Sequence, residues 1–498
     1  MPDKLEYVWG QFQDKASEEI RSPLIGPKKS TALRLVTGNG VDMKNKVTDL
    51  ESGPEFISLL DVVQKTFLAE GYHSGERSFW EWALRTFLRR SKFYINLGEG
   101  THLEAKELIS SLTEAFRRKI RNVTYLAPME FVRFSGNPIV FRHFTIRSYS
   151  WKELDQLLQN SVNEVFYPST YLRIKDLGNL AQYSFIVVTE TESTERLGHL
   201  GHGLADVGKV NIKFSLYPPL EMALKELTLV DWEAEWLEPT TSPDSEWEQW
   251  ERFEIPFVIR VTDDLLAQPD HRLDLSNLAT TSYYSYNAET GEPEEDEGPD
   301  VRISLGTEQT KEFEAYVRKI DKLIQVVEAA GPSWSFFDRA LSFLVKAFFT
   351  YDLEQLLWHI VALEGVLGEK GAGVTNRLIR RVSSILGKSD TERKQIRAQF
   401  VKLYDFRSQL VHGAEFEKQI WEGHLREARN LTRKVMVWFL HYLENIHGQI
   451  PADEKPPDYP RREELLLLLD IEAGTRNRLA KPLALIPAEF PYVASWLD

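Results

Sequence analysis

The chain has no cysteine among its 498 residues. That excludes disulfides, Cys-ligated zinc, iron–sulfur clusters and a thiol nucleophile together. It also lacks a long apolar run. The closest approach, residues 353–367, is broken by Glu354, Gln355, His359 and Glu364, well short of the ~20 apolar residues a membrane span needs. The opening MPDKLEYVWGQ carries charges where a signal peptide has an apolar stretch. The expectation is a cytoplasmic protein with no membrane partner. Positive charge is scarce overall: the net charge is −15, which argues against a general nucleic-acid coat. Neither HExxH nor GxSxG occurs. Gly203-Leu-Ala-Asp-Val-Gly208-Lys209 approaches a phosphate-binding loop, but Val210 stands where the Mg²⁺-binding hydroxyl belongs. His199 and His202 have no acidic partner at metal-ligand spacing. No cofactor and no metal are expected.

What is present is ample core material, with 27 Phe, 18 Tyr and 13 Trp. A chain of this length divides into two to four domains. Residues 1–124 read as mostly helical. Phe56 to Leu68 and Leu103 to Ile120 are two of those helices, and Ser78 to Phe93 is a third. In the last, Ser78 and Glu81 match a capping box, and Trp80, Leu84, Phe87 and Leu88 share a face. Arg85, Arg89, Arg90 and Lys92 interleave with those aromatics, as in nucleic-acid grooves, although core-facing aromatics with solvated cations are the commoner arrangement.

From Tyr125 the apolar period shortens, and residues 125–305 read as mixed α/β. Phe131–Phe134, Val140–Tyr149, Tyr183–Thr189, Val210–Leu216 and Phe257–Val261 suggest strands. Ser150 and Glu153 form a second capping box, opening a helix through Leu154, Leu158, Val162 and Val165. Two acidic stretches interrupt the region. Residues 231–250 are rich in Trp, and residues 287–300 (NAETGEPEEDEGPD) have too little apolar content to fold alone. Residues 306–448 read as consecutive helices with short links, which pack as antiparallel neighbours in an all-α bundle. A Pro-rich linker, a short helix at 461–471 and a tail occupy 449–498.

Charge is unevenly spread. Residues 370–434 hold 15 Lys/Arg against 7 Asp/Glu, while the rest of the chain holds 45 against 68. Inside that basic island, the spacing predicts one amphipathic helix from Asp390 to Gly413. Ile396, Phe400, Leu403, Leu410 and Val411 recur on one face. Arg407 lies in the middle of the same stripe, and burying a guanidinium unpaired is expensive. It needs a carboxylate, a partner surface or an anionic ligand. His412 follows five residues later, and Gly413 then ends the helix. Imidazole suits proton transfer near neutral pH, and a guanidinium can hold a phosphate. Without metal, cysteine or cofactor, that pair suits RNA cleavage by attack of the ribose 2′-OH on its own phosphate. Five residues of helix turn ~500°, so the two side chains point ~140° apart. A composite site across a two-fold axis answers that geometry.

Three segments carry a family resemblance: LEQLLWHIVALEGVLG (353–368), NRLIRRVSSILG (376–387) and ERKQIRAQFVKLYDFRSQLVHG (392–413). Together they resemble the Apea-like branch of the HEPN domain family, over residues 330–448. The resemblance implies a helical bundle that dimerises, or forms a larger oligomer, around a metal-independent endoribonuclease site. It further implies an antiphage-defence or toxin effector, with RNA as substrate, a phage-derived or protein trigger, and the N-terminal region as sensor. Arg407 and His412 match the family's catalytic pair. Ser408 stands where active members usually carry Asn, Asp or His, and with Asp405 it is placed to orient the imidazole. Arg377, Arg380, Arg381 and Lys402 are the candidate RNA contacts. The alternative is a non-catalytic RNA-binding or dimerisation scaffold regulated by a partner protein, for which the acidic Trp-rich stretch is a contact surface.

Overall fold

The computed structural model describes residues 2–21, 40–70, 76–101, 103–193, 218–232, 253–269, 278, 280–286, 293–370, 373–387, 389–413, 418–447 and 461–471. The histidines at 199 and 202, the loop at 203–209, the strand expected at 210–216, most of the Trp-rich acidic stretch, the Pro-rich linker and the tail lie outside them. Among the described residues, no helix is long and apolar enough to cross a membrane. The chain is mostly helical, with a small antiparallel sheet in its N-terminal region and a helical C-terminal region.

Two compact units interleave along the sequence. One takes residues 1–128, 147–210 and 255–299; the other takes 129–146, 211–254 and 300–498. This differs from the sequential division at 124 and 305. Strand pairing is the reason: β2 (Phe131–Phe134) pairs in parallel with β9 (Val301–Leu305), about 170 residues later.

Among the described residues, the first unit begins with the helices α1 (Pro2–Arg21), α2 (Gly40–Leu50), α3 (Pro54–Ala69), α4 (Arg77–Arg90), α5 (Phe93–Gly98) and α6 (Ala105–Arg117). Their core holds Trp9, Phe12, Phe56, Trp80, Phe87 and Phe93. The α4 arginines are structural. Arg89 and Arg85 close on the buried Glu51, and Arg90 donates to the Thr262 carbonyl. The groove-like interleaving of cations and aromatics therefore belongs to a core. The capping box at Ser78 is absent, because α4 begins earlier, with Glu76 as its N-cap. Ser78 instead donates its hydroxyl to Glu76.

The sheet of this unit has the order β4-β5-β1-β6, with β1 Ile120–Met129, β4 Thr145–Ser148, β5 Ser184–Ser193 and β6 Ile259–Thr262. β1 and β6 are antiparallel, Leu126 facing Ile259. The expected strand at 140–149 is shorter than the pattern suggests. β3 (Ile139–Val140) turns back onto the start of β4. The Ser150–Glu153 capping box is present, but its helix ends at Leu157. Gln159 takes a left-handed backbone, and a second helix runs from Asn160 to Phe166, so α7 (Trp151–Leu157) and α8 share the expected apolar residues; α9 is Ile174–Leu180. Within the acidic stretch at 287–300, β8 (Pro293–Pro299) pairs with β7 (Thr280–Tyr286).

The second unit contains α10 (Pro218–Leu227), α11 (Thr307–Ala330), α12 (Ser335–Phe348), α13 (Asp352–Leu367), α14 (Val374–Leu386), α15 (Asp390–Val411), α16 (Lys418–His447) and α17 (Arg462–Asp470). Gly331-Pro332 stops α11. Trp334 packs against Phe337, Phe439 and Tyr442 at the centre. Gly365 lets α13 approach α12 closely, since a Cβ there would come within 3.3 Å of the Ala340 Cβ.

Candidate functional site

α15 is built as its pattern suggests. Ser389 caps it through the Glu392 amide, with Glu392 reaching back, a complete capping box. At the other end the amide of Gly413 bonds the Leu410 carbonyl at 2.9 Å, and Gly413 takes φ +86°. A residue with a Cβ is strained there, so the glycine stops the helix. Phe400, Leu403 and Phe406 are buried. At ~1.5–3 kcal/mol each, they hold α15 on the bundle by roughly 5–9 kcal/mol. The apolar stripe outruns the core, because Val411 is 54% exposed and Leu410 half-buried.

Arg407 is half-buried, one turn beyond Leu403. Its Nε is buried and has no hydrogen-bond partner among the described residues. Tyr404, one turn before it, donates its phenol to Glu364 on α13 at 2.9 Å. Burial, and then Glu364, push that phenol far up, so it remains a donor, while Arg407 pulls weakly the other way. The guanidinium thus stands beside a tyrosine–carboxylate pair.

His412 is the C-cap of α15 and is exposed. Its backbone amide bonds the carbonyls of Ser408 and Gln409. Among the described residues its imidazole has no hydrogen-bond partner. Ser408 and Asp405 are exposed on the same helix. No hydrogen bond joins Ser408, Asp405 or Arg407 to the His412 ring among the described residues. Within one chain, α15 leaves Arg407 turned partly inward and His412 in solvent.

The four basic residues expected to hold RNA separate into two groups. Lys402 is exposed and lines a shallow depression with Gln395, Ile396 and Gln399. Arg377 lies 3.6 Å from Glu369, and Arg380 pairs with Asp470 at 2.8 Å. Arg381 is a correction, because it is 1% exposed and committed inside the fold. It donates Nε and Nη2 to Asp470 at 3.0 and 2.6 Å, Nη1 to the Leu367 carbonyl at 2.7 Å and Nη2 to Glu369 at 2.9 Å. It clamps α17 to α14 and cannot also grip a phosphate. The pair Tyr404–Glu364 is absent from the sequence reading. Forty residues separate its members, and no local pattern links them.

His359 is buried on α13. His441 approaches Glu444 at 3.1 Å, and burial pulls its pKa down. Comparison of the chain with protein-family models, with curated proteins and with solved structures finds no match in any of the three.

Proposed function

We propose that the chain is a HEPN-type endoribonuclease that uses no metal in the chemical step and acts as a homodimer or larger oligomer. The observation that carries the reading is the end of α15. A half-buried arginine has an unpartnered Nε there, and five residues on an exposed histidine closes the helix at a positive-φ glycine. Such a guanidinium is a fixed positive charge suited to one phosphate. The imidazole takes the 2′-OH proton as that oxygen attacks the adjacent phosphorus. The P–O5′ bond breaks, the leaving oxygen is protonated, and the ends are a 2′,3′-cyclic phosphate and a 5′-hydroxyl. Arg407 stabilises the charge that builds on the phosphoryl oxygens.

Because the two side chains diverge on one helix, each site combines residues of two subunits. The exposed Val401 and Val411 on α15 supply apolar surface for that contact. Ser408 and Asp405 orient the imidazole once the partner is in place. The defence or toxin role, and a trigger acting through the N-terminal unit, rest on the family resemblance. Arg407→Ala and His412→Ala should each lower cleavage of total RNA at least ~100-fold in EDTA. Circular dichroism should be unchanged, and the lost products should be ends bearing 2′,3′-cyclic phosphate. Wild-type cleavage by either variant refutes the mechanism.

A second reading is favoured by Tyr404. The guanidinium beside the Tyr404–Glu364 pair is then a structural ion at a dimer interface, and the protein is a non-catalytic RNA-binding scaffold. It predicts no cleavage by wild type and loss of the dimer in Arg407→Ala, read by light scattering.

A further inference from the structure

Far in sequence from α15, the same unit holds one tight group of potential ligands. His143 lies in the turn between β3 and β4, Glu226 near the end of α10 and Asp321 in the middle of α11. One ligand atom from each lies within 4.8 Å of the other two. Glu226 is 0% exposed, and among the described residues neither carboxylate oxygen has a hydrogen-bond partner. The Nε2 of His143 is also buried without one. A buried carboxylate in that state costs several kcal/mol, and interiors normally satisfy such groups. A proton removes the charge but still leaves a buried O–H and a buried acceptor unpaired. A cation bound among the three residues satisfies the carboxylate and the imidazole together.

The surrounding charges agree. Arg142 donates Nε to Asp321 at 2.9 Å and both terminal nitrogens to Glu328 at 2.9 and 3.1 Å. Three carboxylates against one guanidinium leave a formal deficit of two positive charges, which a divalent ion fills. Gln325 donates to the other Asp321 oxygen at 3.3 Å. Arg142 and Gln325 therefore orient Asp321 from outside, as second partners of ligating carboxylates do.

We propose that His143, Glu226 and Asp321 bind one divalent transition-metal ion, of the zinc or manganese type, which ties the β3–β4 turn to α10 and α11. One imidazole and two carboxylates, with no thiolate, suit ions of intermediate hardness. Ligand atoms around tetrahedral zinc stand ~3.3 Å apart, so the group closes with at most ~1.5 Å of side-chain movement. The full burial of Glu226 makes the site structural, and waters complete the coordination.

The full chain, stripped with chelator and dialysed, is titrated with Zn²⁺ and with Mn²⁺ separately by calorimetry, and bound metal is counted by mass spectrometry. The Glu226→Gln variant keeps the shape of the neutral acid, so it should fold. Wild type should take up one equivalent of at least one of the two ions, with a rise in thermal midpoint. Glu226→Gln should bind at least ~10-fold more weakly and show no rise. His143→Ala should behave likewise. No stoichiometric uptake of either ion by wild type, or equal binding by Glu226→Gln, overturns the assignment. A hydrogen-bonded triad without metal gives the first of those results.

Discussion

The α14–α17 clamp and the C-terminal end of α15 are made from the same residue types and use them in opposite ways. In the clamp, Arg381 is enclosed, and Asp470, Glu369 and a main-chain carbonyl take up its donors. At the end of α15, Arg407 is half-buried with an unpartnered Nε, and His412 stands in solvent. Both arginines belong to one basic stretch, and a count of charges treats them alike. What separates them is whether a carboxylate from elsewhere in the chain arrives to close the ion pair. A cation with its partners filled holds a fold together. A cation with a partly buried, unfilled donor is available to an anionic ligand.

Breaking the clamp should cost the most. Arg381→Ala leaves the Leu367 carbonyl without its donor and Asp470 with Arg380 alone, and losing these charge-assisted bonds costs ~3 kcal/mol. The thermal midpoint should fall by on the order of 10 °C. Arg407→Ala should cost under ~1 kcal/mol in the same melt, although on the proposed mechanism it should remove cleavage. Equal falls in both variants would erase the contrast and make Arg407 a structural ion. Tyr404→Phe comes next: it removes a hydrogen bond to a carboxylate, worth about 1.5 kcal/mol in urea unfolding. A loss near zero would mean that Glu364 does not depend on the phenol. The smallest effect belongs to Lys402→Ala. Stability should stay within ~0.5 kcal/mol, while the salt dependence of RNA binding should lessen by ~0.7 in log–log slope if Lys402 meets one phosphate. An unchanged slope removes Lys402 from the interface.

Local features were legible in the sequence wherever the physics is local. Gly413 ends α15, and Ser150 with Glu153 starts α7. Each depends on a few adjacent residues. Where a second local option existed, the pattern misled. Ser78 and Glu81 have capping-box spacing, yet Glu76 takes the N-cap position. Gln159 splits one apolar stripe into two helices. The acidic composition of 287–300 argues against order, yet half of it pairs with β7 through main-chain bonds that do not depend on apolar side chains.

By itself the sequence determined that the C-terminal part is a run of amphipathic helices, that cysteine chemistry is absent, and that an arginine and a histidine close one of those helices. Periodicity, composition and helix stops are properties of short segments. Only the tertiary structure decided which charges are buried and who meets them. Arg381 with Asp470, Tyr404 with Glu364, and His143 with Glu226 and Asp321 join residues tens to well over a hundred positions apart. The cost of burying a charge depends on what distant chain packs against it, and no local pattern records that.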